Sequence, residues 1–117
     1  MSNHSEDFLK LAAEAKSHIR QVSPSEAEAL VEQGALLVDV RERDEFERGH
    51  LSGATHVSRG ILEMHIGELA ASKDASIVCY CGGGNRGALA VESLQRMGYT
   101  RAVSIEGGLA ACNTQKD

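Results

Sequence analysis

Short apolar runs alternate along the chain with stretches whose apolar positions recur every three or four residues, the pattern of strands alternating with helices. Residues 5–19 carry Phe8, Leu11, Ala12, Ala15 and Ile19 at helical spacing, with acids and lysines opposite, and predict an amphipathic helix whose stripe packs on the rest of the chain. Arg20 to Val22 reads as a short strand. Ser23-Pro24-Ser25-Glu26 has the features of a helix start: a hydroxyl N-cap, proline at the first helical position and glutamate three residues after the cap. Gly34 ends that helix, and Ala35 to Val40 is an apolar run suited to a buried parallel strand. A helical turn over Asp44 to Arg48 and a brief strand at Thr55 to Ser58, broken by Gly60, precede a helix marked by Ile61, Leu62, Ile66 and Leu69. The strand Ser76 to Tyr80 runs into a glycine loop. Ala90, Val91, Leu94 and Met97 share one face of the next helix, with Gly98 at its C-terminus. Arg101 to Ile105 is a last strand, and Gly107-Gly108 lead into a terminal helix.

This alternation predicts βαβ units: an α/β fold with a parallel sheet covered on both faces, whose ligands bind beyond the carboxyl ends of the strands. Cys81, Asp39 and Arg41 fall at strand carboxyl ends and Arg59 directly follows another strand, so they are expected to converge on one rim. The 117 residues suit one domain, read as an N-terminal helix over 1–19 packed on a domain of residues 20–117, with no internal repeat or linker.

The chemistry is concentrated in Cys81-Gly82-Gly83-Gly84-Asn85-Arg86. Glycines at a strand-to-helix turn let successive backbone N–H groups face inward, and a thiol held there sits in an anion-binding cradle that favours the thiolate. A turn needs glycine for steric reasons alone and would bury Cys81 as a small hydrophobe. Three glycines, a cysteine and an arginine within six positions exceed that need. Arg86 either binds substrate oxygens or holds the loop by bonding carbonyls and an acid such as Asp39 or Glu106. Asp39 and Arg41 read as a structural ion pair supporting the site. Arg59 is either a second cation at the pocket mouth or a solvated surface arginine.

Composition narrows the partners. Twelve Lys+Arg against seventeen Asp+Glu leave a net charge of −5, and no basic block interleaves with aromatics, so nucleic acid is not an expected ligand. Affinity for an anion must come from local groups. No apolar run approaches the roughly 18 residues of a membrane span, so no membrane contact is expected. The cysteines are odd in number, Met1 to Asp7 is polar, and no leader is evident, which places the chain in a reducing cytoplasm. Cys79 reads as buried filler, and Cys79 and Cys81 do not have zinc-ligand spacing. The five histidines lie apart, with His50 in a turn where orienting the backbone is its expected task. Neither a metal nor a cofactor is implied.

Taken together, the chain resembles the single-domain rhodanese family of sulfurtransferases. Val38-Asp39-Val40-Arg41-Glu42, Glu45-Phe46, Gly49-His50-Leu51-Ser52-Gly53-Ala54 and His56-Val57 are similar to that family's first signature, and Cys81 to Arg86 to its active loop. Gly98-Tyr99 and Glu106-Gly107-Gly108 match later landmarks, so the resemblance runs from about Arg20 to Ala110. It implies a five-stranded parallel sheet with helices on both faces, Cys81 as sulfur acceptor, and the backbone amides of Gly82, Gly83, Gly84, Asn85, Arg86 and Gly87 as the anion cradle. It also implies a small anionic donor such as thiosulfate or a persulfide, and as acceptor cyanide, a thiol or a sulfur-accepting protein. Gly87 departs from the small hydroxyl residue common after the arginine, and Cys112 stands near where many relatives carry tryptophan. Cys112 either resolves a Cys81 persulfide by thiol–disulfide exchange or is a bystander. Two other functions compete: a non-catalytic binding module, which commonly lacks the cysteine, and a cysteine phosphatase or arsenate reductase, whose loop is one residue longer.

Overall fold

A computed structural model describes residues 4–115. Residues 1–3 of the predicted N-terminal segment and 116–117 of the predicted domain lie outside the described residues. Strands β1 (Gln21–Val22), β2 (Leu36–Asp39), β3 (Thr55–His56), β4 (Ile77–Tyr80) and β5 (Ala102–Ile105) form one parallel sheet in the order β1-β5-β4-β2-β3. β4 is central and all four of its residues are buried, as an unbroken apolar strand requires. Its side chains alternate between two cores. Ile77 and Cys79 face α4 (Leu62–Leu69) and α5 (Asn85–Arg96), while Val78 and Tyr80 face α2 (Pro24–Glu32) and α6 (Gly108–Gln115). The expected five-stranded parallel sheet with helices on both faces is therefore present.

Local chemistry sets the element ends. Ser23 Oγ accepts the Glu26 N–H at 3.1 Å and Glu26 Oε1 accepts the Ser23 N–H at 3.0 Å, so α2 begins on a complete capping box. The helix after β3 starts as a 3₁₀ turn over Arg59–Ile61, and α3 (Arg43–Glu47) stands beyond the carboxyl end of β2. Helix α1 (Glu6–His18) packs on α5 through Ala12 and Ala15, both buried. The predicted stripe is narrower than expected: Leu11 is 53% exposed. Two alanines let the helices approach closely along a single line, and Leu11 falls to the side of it.

The strands carry one unexplained polar group. Ser104 on β5 is fully buried on the α5 face, and its hydroxyl has no partner among the described residues. Gly87 lies against it; a Cβ there would stand 3.0 Å from Ser104 Oγ and 3.4 Å from Tyr80 Cα, so the missing side chain lets the start of α5 seat on the sheet. Because a desolvated hydroxyl without a partner destabilises, Ser104→Ala is expected to raise stability by about 1 kcal/mol in urea denaturation. A loss of that size would show that the hydroxyl is used.

Candidate active site

Cys81 is the first residue past β4 and continues its alternation, so the side chain enters the α5-side core and is 1% exposed. The chain then reverses. Gly84, at φ +109°, is the N-cap of α5, and this left-handed turn brings later amides back over the cysteine. Cys81 Sγ accepts the N–H of Gly84 at 3.1 Å and of Gly87 at 3.2 Å. The carbonyls of the loop point the other way: Cys81 O accepts the Leu109 N–H at 2.8 Å and Gly82 O the Ala110 N–H at 3.1 Å, both from the first turn of α6. That contact needs glycine. A Cβ on Gly108 (φ +61°) would run into the carbonyl oxygens of Cys81 and Gly82, the latter at 2.7 Å. The first amides of α5 have no intrahelical acceptor and sit at the positive end of its dipole, so the sulfur faces a cradle of N–H groups.

The arginines of the rim are each held by an acid. Arg86 donates to both oxygens of Glu45, at 2.8 and 3.1 Å, so its acid comes from α3 and is neither Asp39 nor Glu106. Asp39 has no capacity left: fully buried, it accepts the Arg41 backbone N–H at 2.9 Å and the Arg41 side chain at 2.8 to 3.1 Å. Burial opposes ionisation of Asp39, but these bonds overcome it and hold the carboxyl below its usual range. Arg41 also donates to Gly49 O at 2.7 Å, which ties the 49–51 turn to the sheet. Arg59 donates to Glu63 Oε2 at 2.8 Å, and Ser93 of α5 donates to the same oxygen at 2.5 Å. Asn85 turns its side-chain oxygen to Lys16 of α1, which donates at 2.8 Å. Of the expected cradle, Gly84 and Gly87 are therefore the amides on the sulfur; the Asn85 side chain turns to Lys16, the Arg86 guanidinium bonds Glu45 beside Gly82, and Arg59, the candidate second cation, bonds Glu63.

The remaining candidates separate clearly. Cys79 is fully buried two residues before Cys81, and burial pushes its thiol up to about 12. His50 stacks on Phe46 with ring centroids 3.8 Å apart, its Nδ1 2.9 Å from Phe46 O, which shapes the turn beside Arg41. Cys112 packs with Val22, Ala27 and Leu37 on the α2 face, whereas Cys81 lies in the core on the α5 face. The two thiols thus join different cores. A cavity of about 440 Å³ opens beside the loop, lined by Arg41, Glu45, Arg48, His50 and Leu109 among others. Among the described residues no group of three or more His, Cys, Asp or Glu is placed to hold a metal, and no helix is long and apolar enough to cross a membrane. Sequence reasoning missed the parts played by Glu45, Lys16 and Gly108, although Glu45 and Gly108 stood within the quoted motifs.

A family model described as Rhodanese-like domain matches residues 23–115. The chain is 34% identical over 98 residues to the thiosulfate sulfurtransferase GlpE of Pseudomonas fluorescens strain SBW25, covering 84% of this chain and 88% of that relative. Among solved structures, RPA3614 of Rhodopseudomonas palustris CGA009, described as a protein of unknown function and a possible tyrosine phosphatase, superposes with TM-score 0.81 at 30% identity, covering 99% of this chain and 96% of that one. The polysulfide-sulfur transferase homodimer of Wolinella succinogenes gives TM-score 0.78 at 26% identity, with 94% and 84% covered.

Two expectations follow from the packing of the loop. Gly108→Ala should lower stability by about 3 kcal/mol or more, whereas Gly34→Ala, strained in φ but with open space around it, should cost about 1 to 2 kcal/mol in the same denaturation experiment. The Arg86 hydrogen bonds hold the Glu45 carboxyl at about 2 against an ordinary 4.5. A depressed carboxyl stabilises fully above its unfolded value and loses that contribution as pH falls through its folded one. Stability measured from pH 7 downward should therefore fall between about 4.5 and 2 more steeply in the wild type than in Glu45→Gln, with the variant weaker at pH 7 by about 1 to 3 kcal/mol.

Proposed function

The chain belongs to the rhodanese-like family, whose sulfurtransferases it resembles over most of its length, and from that premise we propose that it moves sulfane sulfur through a persulfide on Cys81. The observation that carries the reading is the sulfur itself, buried at a strand end and accepting two backbone N–H groups at 3.1 and 3.2 Å. Donors aimed at Sγ stabilise negative charge on that atom, where it resides when the thiolate attacks and when it departs again. In the first half-reaction the Cys81 thiolate attacks the outer sulfur of thiosulfate. The Cys81–sulfur bond forms, the donor's S–S bond breaks with its electron pair leaving on sulfite, and the charge stays on the persulfide. In the second, cyanide carbon or an acceptor thiolate attacks the outer sulfur, and the Cys81 thiolate departs. Sulfite is a stable anion, so no dedicated proton donor is needed.

The activities for which similar proteins are named support the sulfur chemistry: thiosulfate for the Pseudomonas relative and polysulfide-sulfur for the Wolinella one. The loop weighs against phosphoryl transfer. Only four residues separate Cys81 from Arg86, and Arg86 is engaged by Glu45. The donor is a small anion; the acceptor is cyanide, a thiol or a sulfur-accepting protein; and a reducing cytoplasm suits a cysteine that must return to the thiolate. Intact-mass measurement after thiosulfate treatment is expected to show one added sulfur, mapped to Cys81. Cys81→Ser should remove both that adduct and thiocyanate formation while keeping the fold, and aryl phosphates should be hydrolysed negligibly. Retention of thiocyanate formation by Cys81→Ser, or phosphate hydrolysis without sulfur loading, would overturn the assignment.

A further inference from the structure

The amides that face the sulfur belong to the start of α5, and that start has no side-chain cap. Ser5 and Ser23 close the first turns of α1 and α2 by accepting the Phe8 and Glu26 N–H groups at 3.0 and 3.1 Å. The N-cap of α5 is Gly84, which has no side chain to do so, and Gly82 and Gly83 before it leave the backbone of the return free to take other conformations. The carbonyls of Cys81 and Gly82 are held by α6, but the turn itself is fastened through its first two side chains. Arg86 reaches Glu45 of α3, and Asn85 reaches α1, its Oδ1 accepting from Lys16 Nζ at 2.8 Å in a partly buried contact. Asn85 directly follows Gly84, whose N–H lies 3.1 Å from Cys81 Sγ, and stands two residues before Gly87, whose N–H lies at 3.2 Å. The Lys16 end is itself held in place. Buried Ala12 and Ala15 seat α1 on α5, and His18 Nδ1 lies 3.0 Å from Glu92 Oε2 further along α5, so a docked helix presents the ammonium to Asn85. Helix α1 precedes the segment matched by the family model, so this fastening comes from outside that segment.

We propose that Lys16 is a positioning residue for the sulfur cradle: through Asn85, α1 holds the first turn of α5 so that the Gly84 and Gly87 amides stay on Cys81 Sγ. The inference rests on the proposed sulfur transfer for its effect on rate, but not for its effect on the two amides. Lys16 acts through Asn85 and takes no part in the bond changes. Without the tie the turn samples conformations in which those amides leave the sulfur, and charge on Sγ loses its donors as the thiolate attacks and departs. The two amides serve the protein's own sulfur and not the donor, so the rate falls without a change in how tightly the donor is held.

The test compares wild type with Lys16→Met, which keeps the apolar stem and removes the donor, and Lys16→Arg, which keeps a charged donor. Backbone order parameters from NMR relaxation read the cradle directly. In Lys16→Met those of Gly84 and Gly87 are expected to fall from about 0.85 to below about 0.6, while Val78 and Cys79 of β4 stay near 0.85; Lys16→Arg should match wild type. In thiocyanate formation, Lys16→Met should lower kcat about tenfold with KM for thiosulfate within about twofold, and Lys16→Arg should restore kcat to within about twofold. Asn85→Ala should lose as much as Lys16→Met, and the double variant should be no more than about twofold slower than either, because one contact is removed in all three. Rigid Gly84 and Gly87 amides in Lys16→Met overturn the inference, as does wild-type kcat in that variant or losses that multiply in the double variant. Loosened amides in Lys16→Met, with no sulfur loaded on Cys81 of the wild type, overturn the sulfur-transfer reading and leave the tie to the cradle standing.

Discussion

The arrangement of the site depends on the orientation of a few peptide groups after β4. Between Cys81 and Gly87 the carbonyls of residues 81 and 82 are drawn outward by the N–H groups of Leu109 and Ala110, and the amides of Gly84 and Gly87 turn inward to one sulfur. Neither half is stable alone. Inward amides without outward partners would leave buried carbonyls unpaired, at about 1 to 3 kcal/mol each. The first turn of α6 supplies those partners, and it approaches closely enough because residue 108 has no Cβ. The cradle is therefore made by two segments distant in sequence, one giving the turn and the other fixing which way its peptides face.

Charge at the rim follows a different logic. A chain of net charge −5 would be expected to gather free cations around an anion site, yet its three rim arginines are used to brace the scaffold. Arg41 ties β2 to the 49–51 turn, Arg59 joins the 3₁₀ turn to α4 through a carboxylate that α5 also binds, and Arg86 anchors the start of α5 to α3. Planar guanidinium groups suit such fixed, two-point contacts. Oriented backbone dipoles at the loop, by contrast, need no countercharge and do not collapse onto a neighbouring acid.

The limits of what could be read from the chain are physical. Ser23's capping box, the buried run of β4 and the glycine loop are local, since each depends on residues within one turn or one strand, and the structure has all of them. The partner of Arg86 is not local. Glu45 lies 41 positions away and is chosen by where α3 comes to rest, so the chain alone points to Asp39, which Arg41 saturates, or Glu106 instead. Lys16 and Asn85 are 69 positions apart and meet only because two alanines dock one helix on another. Periodicity placed Leu11 on the packed stripe for the same reason: it finds an apolar side of a helix but not how wide a neighbour covers it.

Cys79 and Cys81 show how narrowly position determines chemistry in such a sheet. Both thiols are buried on the same side of the same chain segment and join the same core, so burial alone cannot distinguish them. Cys79 lies within the ladder, paired in register with Val38 and Ser104, in backbone whose hydrogen bonds serve neighbouring strands. Its thiol is accordingly pushed away from ionisation by burial. Cys81 lies one residue past the last ladder residue, where the chain is free to turn and return two amides to the sulfur. The end of β4 thus separates an inert core thiol from the proposed sulfur carrier, and the separation is made by backbone geometry alone.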